Sequence, residues 1–183
     1  VLARYRSYHG ATFGAVAMTG DPRRLAWEPS VMPGVVHFLD PYRYRSTFHK
    51  SNPCVSEKQF SEDYLNHLEE IIMFEGPQTI AAIILETVTG TNGVIIPPDD
   101  YLLGVRRLCD KYGIVMICDE VMSGFGRTGE WFAFNHWNVI PDIVTMAKGL
   151  TSGYAPLGAV AMKKEIALAF NEKVYQGGLT YNG

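Results

Sequence analysis

An aspartate, a glycine-rich turn and a lysine in apolar company lie close together in this chain. The stretch Ile117-Cys118-Asp119-Glu120-Val121-Met122-Ser123-Gly124-Phe125-Gly126-Arg127-Thr128-Gly129 is followed by Met146-Ala147-Lys148-Gly149-Leu150. An aspartate can pair with a protonated ring nitrogen, and a lysine amine can bond covalently to an aldehyde. Two such handles on one aromatic, cationic molecule point to pyridoxal phosphate as a cofactor.

Other readings of the same residues set the comparison. An acid after an apolar run also ends the acidic strand of a nucleoside triphosphatase, with Glu120 as its second acid, but the required phosphate loop G-x-x-x-x-G-K-[ST] does not occur. A structural acid capping a loop is the plain alternative for Asp119. For Lys148 it is a solvated surface lysine. Lys58 adjoins Glu57, Lys111 adjoins Asp110 and Lys163 adjoins Lys164, whereas Met146, Ala147 and Leu150 surround Lys148. That apolar setting predicts desolvation, which favours the nucleophilic amine over the ammonium.

Positioning these two groups requires strands. Asp119 and Lys148 are 148 − 119 = 29 residues apart, about one strand, crossover and strand in an α/β sheet. Residues 114–118 and 142–146 are apolar runs of the kind that are buried in parallel sheets. Parallel sheets bind ligands beyond the carboxyl ends of their strands, which puts the acid and the lysine on one crevice. Residues 1–5 read as a strand entering a loop at Ser7-Tyr8-His9-Gly10, and 79–85 as a buried strand ending at Glu86. A helix is expected over 57–74, with Leu65, Leu68 and Ile72 on its apolar face, a start signal at Ser61 and a stop at Gly76-Pro77. A second helix, capped by Asp99, carries Tyr101, Val105, Leu108 and Tyr112 inward and ends at Gly113. A strand over 157–162 and a helix over 163–170 follow, and 19–53 reads as a long irregular region.

Composition narrows the function classes. Hydrophobic content of 47% and charge of 19% are those of a globular domain, and 183 residues suffice for one large core. A net charge of −3 without a basic run argues against nucleic acid or an anionic membrane as partner. Cys54, Cys109 and Cys118 form neither a disulfide framework nor a zinc motif, so no metal site is expected and a reducing, cytoplasmic setting fits. No apolar run reaches the roughly 18 residues of a membrane span.

Taken together, Ser7-Tyr8-His9-Gly10-Ala11-Thr12, Leu85-Glu86, Asn92-Gly93, Asp119 to Gly129, Pro141-Asp142-Ile143, Ala147 to Leu150, Pro156-Leu157-Gly158-Ala159 and Thr180-Tyr181 resemble class III pyridoxal-phosphate aminotransferases of fold type I, in the family's order. The resemblance implies an α/β large domain with a mostly parallel sheet flanked by helices. It implies a ping-pong exchange, through a Schiff base, from an ω-amino acid or amine, such as taurine or β-alanine, to an oxo acid such as pyruvate. It makes Lys148 the Schiff-base lysine and Asp119 the partner of the pyridine nitrogen. Tyr8 would stack on one ring face and Val121 pack on the other, with Glu86 near the phenolic side. Thr180 would reach the phosphate of a neighbouring protomer in a homodimer with a shared active site. His9 is either a hydrogen-bonded structural histidine or a direct participant.

Two positions depart from the pattern: Thr87 stands where many relatives have proline, and Met122 where some have glutamine. A thioether cannot replace that amide's hydrogen bond to the phenolic oxygen. The chain opens at Val1 in a strand-like run, and the family's phosphate-binding turn and small domain are not found in it. Residues 1–183 are therefore expected to be a central piece of the large cofactor-binding domain, not competent for transamination alone. The alternatives are another fold-type I enzyme of the same cofactor or a non-catalytic fragment.

Overall fold

The computed structural model describes residues 1–27, 30–52 and 54–173. Six strands form one sheet: β1 Leu2–Arg4, β2 Val36–Phe38, β3 Ala82–Glu86, β4 Val115–Asp119, β5 Ile143–Met146 and β6 Ala159–Met162. Their spatial order is β2-β1-β3-β4-β5-β6, with β1 to β5 mutually parallel and β6 antiparallel to β5. The chain leaves β1 for β2 on one side and returns to β3 on the other. That reversal creates a switch point between β1 and β3, where an open parallel sheet leaves a crevice at its carboxyl edge.

Among the described residues, four α-helices accompany the sheet: α1 Phe13–Met18, α2 Glu57–Glu75, α3 Tyr101–Tyr112 and α4 Lys164–Glu172. Helices α2 and α3 pack together, and their Leu68, Ile72, Leu102 and Val105 join Leu2, Ile83, Leu85, Met116 and Cys118 of the strands in one core. Each such side chain contributes roughly 1.5–3 kcal/mol by leaving water. Cys109 and Cys118 belong to this core, and burial pushes their thiols up to about 12, which removes them as nucleophiles at neutral pH.

Strand pleating makes the sheet's second face functional. Successive side chains alternate in direction, so with Ile83, Leu85, Met116 and Cys118 in the core, Glu86 and Asp119 point the other way. They are also register partners at the ends of β3 and β4. Two carboxylates thus meet side by side, both nearly inaccessible to solvent.

Several local expectations change. Ser56 caps α2 by accepting from the Gln59 amide, and Ser61 is buried within the helix. Serine at either position satisfies a composition rule, but only the one at the actual boundary has free amides to bond. Asp100, not Asp99, is the residue before α3, and its side chain makes no capping bond. Gly113 ends that helix at φ +67, a left-handed conformation that a side chain disfavours. Strand β3 starts at Ala82 because a 3-10 turn takes up Pro77–Thr79. The region 19–53 holds β2 and two 3-10 turns, Pro22–Ala26 and Arg43–Arg45, and α1 precedes it. These elements are too short for periodicity to reveal.

The opposite edge of the sheet is pinned electrostatically. Asp142, just before β5, accepts from Arg106 at 2.8 Å, the Met116 amide at 2.7 Å and Lys163 at 2.7 Å. Burial alone would raise its carboxyl, but these bonds hold it below its ordinary pKa of 3.8. A depressed folded pKa means stability that is present above the ordinary value and lost as pH falls through the folded one. Asp142→Asn should lower stability at neutral pH and flatten the acid limb below about pH 4. Denaturation midpoints against pH measure this, and an acid limb unchanged from wild type would rule it out. Among the described residues, no helix is long and apolar enough to cross a membrane.

Candidate active site

The loops after β1, β3, β4 and β5 converge on one cleft. Tyr8, His9, Glu86, Asp119, Val121 and Lys148 all border it. Six of the seven positions expected from the sequence are thereby brought together, and Thr180 lies outside the described residues. Gly10, Thr91 and Met122 complete the lining.

Asp119 is held at both oxygens. Its Oδ1 accepts from the Val121 amide at 3.0 Å, and its Oδ2 faces His9 Nδ1 at 2.7 Å. A carboxylate only accepts, so His9 Nδ1 carries the proton of this bond. The histidine side chain is 1% exposed and the aspartate 6%, which makes the bond stronger than its equivalent in water. His9 therefore borders the cleft with its Nδ1 committed to Asp119. Its Nε2 is buried with no partner among the described residues.

Glu86 ties two loops together. Its Oε1 accepts from the Tyr8 amide at 2.9 Å and its Oε2 from the Gly90 amide at 2.8 Å. The carboxylate thus sets the path of the chain that carries the aromatic ring. Thr87 donates its hydroxyl to Glu120 at 2.7 Å.

Glu120 has a role that sequence reasoning missed. Fully buried, it accepts from Thr87 and Ser123 hydroxyls at 2.7 Å each and from the Ala133 and Phe134 amides at 3.0 and 3.1 Å. Four donors satisfy the carboxylate, so it is an internal brace for the turn-rich crossover between β4 and β5 rather than a second catalytic acid. The run of turns around it contains no amphipathic helix that could have shown this connection in the sequence.

Lys148 follows β5 at the start of a 3-10 turn, Lys148–Leu150, with φ +45. A non-glycine residue in this region is strained, and such strain concentrates at functional sites. Gly149 lets the turn approach Phe125, since a Cβ there would lie 2.6 Å from the phenylalanine's own Cβ. The expected desolvation is not supplied by the described residues: Lys148 is exposed. Its apolar neighbours in sequence lie along a strand and turn at the open side of the sheet, and adjacency along the chain does not bury a side chain.

The cleft measures about 80 Å³, below the roughly 300–1,000 Å³ of complete ligand pockets. The described residues therefore enclose only part of the space a cofactor of this size requires. Larger cavities, among them ones of about 770 and 730 Å³, open elsewhere among the described residues, and neither of these is bordered by Asp119 or Lys148. Size alone does not locate the chemistry. Among the described residues no cluster of His, Cys, Asp and Glu is arranged to hold a metal ion.

The chemistry of this residue set fits pyridoxal phosphate: a braced carboxylate for a ring nitrogen, an amine for an aldehyde and the aromatic ring of Tyr8 on the same cleft.

Comparison with known proteins agrees with the geometry. The family model for class-III aminotransferases matches residues 1–183. The chain is 40% identical over 166 residues to a taurine–pyruvate aminotransferase of Bilophila wadsworthia, covering 91% of this chain and 35% of that protein. It is 39% identical over 183 residues to a putrescine–pyruvate aminotransferase of Pseudomonas aeruginosa, covering 100% and 38%. Its fold superposes with a TM-score of 0.91 on a taurine:2-oxoglutarate aminotransferase from Bifidobacterium kashiwanohense, solved with PLP and glutamate, at 50% identity and over 98% of this chain and 40% of that one. The chain thus spans well under half the length of these relatives. With the parallel sheet, the braced aspartate and the strained lysine in place, and the family model matching from end to end, this chain belongs to the class-III aminotransferase family.

Proposed function

We propose that this chain carries the reactive centre of a pyridoxal-phosphate-dependent transaminase that moves an amino group from an ω-amino acid or amine to an oxo acid. The observation that carries the reading is the single cleft shared by Lys148 and Asp119, with Asp119 fixed by His9 and the Val121 amide. Taurine and putrescine as donors, and pyruvate or 2-oxoglutarate as acceptors, appear in the names of the relatives.

When bound, the cofactor supplies an electron sink for the substrate carbon that loses its proton. Asp119 holds positive charge at the ring nitrogen, and because both its oxygens are already fixed it need not reorganise as charge develops. Lys148 Nζ would hold the aldehyde at rest and, once released, would move a proton between the substrate's reacting carbon and the cofactor's aldehyde carbon. Tyr8 and Val121, both on the cleft, would hold the ring between them, and Glu86 fixes the backbone of Tyr8. Thr180 is assigned to the phosphate across a homodimer interface on the family resemblance.

The chain's share of its relatives' length and the small cleft support its being a part of the large domain, with the phosphate turn and substrate-binding domain contributed by further sequence. Exposed apolar side chains on β6 and α4, among them Val160, Met162 and Leu168, support the same view. The full-length enzyme, supplied with taurine, putrescine or β-alanine and pyruvate, should form alanine in step with loss of the donor amine. Decarboxylated or racemised products without amino transfer would assign the chain to another chemistry on the same cofactor.

A further inference from the structure

Tyr8 has a partner that the sequence does not announce. The Arg23 guanidinium lies over the Tyr8 ring, 3.8 Å from its centroid. Arg23 Nε donates to both oxygens of Asp21, at 3.0 and 2.9 Å, and Nη2 also bonds Asp21. The same Nη2 donates to the Thr91 hydroxyl at 3.0 Å. Asp21 is 4% exposed and in turn accepts from the Asn92 side chain at 3.2 Å. Tyr8 and Thr91 border the cleft and Arg23 is not among the residues that do, so the guanidinium backs the ring instead of filling the cleft.

We propose that Arg23 is a positioning residue for the cofactor site: anchored on Asp21 and Thr91, its guanidinium clamps Tyr8 from behind and holds that ring as one wall of the cleft. Three separate segments, around residues 8, 21 and 91, meet at this one side chain. A planar fork suits the task because two bonds to one carboxylate fix the plane that lies on the ring, which a lysine ammonium cannot do. Asp21 also neutralises the guanidinium. A second cationic ring on the opposite face of Tyr8 is then attracted by the tyrosine without facing an uncompensated charge behind it. The consequence for the cofactor rests on the function proposed above; the clamp itself does not.

Full-length Arg23→Ala, Arg23→Lys, Thr91→Val, Tyr8→Leu and the Arg23→Ala/Tyr8→Leu double variant test this. In the apoprotein labelled with 3-fluorotyrosine, the fluorine resonance of Tyr8, identified by Tyr8→Phe, should shift in Arg23→Ala while those of distant tyrosines stay. In the holoenzyme, Arg23→Ala should raise the dissociation constant for pyridoxal phosphate about tenfold and weaken the cofactor's visible circular dichroism. Arg23→Lys should recover only part of this, and Thr91→Val, which removes one anchor without disturbing the ion pair, should cost about threefold. In the Tyr8→Leu background Arg23→Ala should add less than about twofold, because the arginine acts through that ring. An unmoved Tyr8 resonance, an equal cost in both backgrounds, or tighter cofactor binding would each overturn the proposal. A wild-type protein that takes up no pyridoxal phosphate would overturn the cofactor reading instead, and the apoprotein resonance would still decide the clamp.

Discussion

Lys148→Ala in the full-length protein is expected to lower transamination by at least about a thousandfold, the largest effect of any single change in the chain. Two functions leave with one amine: the covalent hold on the aldehyde and the base that moves the substrate proton. General acid–base catalysis alone is worth roughly 10²–10⁴ in rate. The covalent hold adds positional order that a freely bound cofactor lacks. The structure adds a reason for choosing this lysine, because its backbone sits at φ +45 in the same cleft as Asp119. Borohydride reduction of the wild type followed by peptide mapping should place a pyridoxyl group on Lys148, and the alanine variant should carry none. A label on another lysine, or an alanine variant that turns over at the wild-type rate, would sink the assignment.

Asp119→Asn should slow the half-reaction by roughly a hundredfold, about 2.7 kcal/mol, the scale for losing one group that stabilises developing charge. The His9 contact makes this substitution unusually clean. An amide can offer its oxygen to the Val121 N–H and its NH₂ to His9, provided the histidine proton moves from Nδ1 to Nε2. Geometry is then retained while the negative charge is lost. Single-turnover conversion of the aldehyde form of the enzyme by an amino donor reads the chemical step directly. A wild-type rate would show that the carboxylate is structural and that the ring's charge is set elsewhere.

Two kinds of information separate in this protein. The apolar run that became β3 was legible because burial on both faces leaves little room for polar residues, and those that became β4 and β5 because partly buried strands still keep an apolar composition. The 29-residue spacing of Asp119 and Lys148 then followed from the connection length of parallel strands. Helices α2 and α3 were legible for the corresponding reason at a period of 3.6, with their stops at Gly76 and Gly113, although their N-caps were not: Ser56 and Ser61, or Asp99 and Asp100, are chemically equivalent until the boundary is known.

What the sequence by itself determined is therefore the set of strand ends and the types of group on them, since both arise from local periodicity. Only the tertiary structure decided which groups touch. His9 meets Asp119 across 110 residues, Tyr8 bonds Glu86 across 78, and Arg23 reaches Thr91 across 68. Each pairing depends on strand register and on the order in which strands lie in the sheet, and neither leaves a mark on the residues immediately around the contact. The exposure of Lys148 belongs to the same category. Its neighbours in sequence are apolar, but burial is conferred by whatever packs across the open side of the sheet, and chain adjacency carries no information about that.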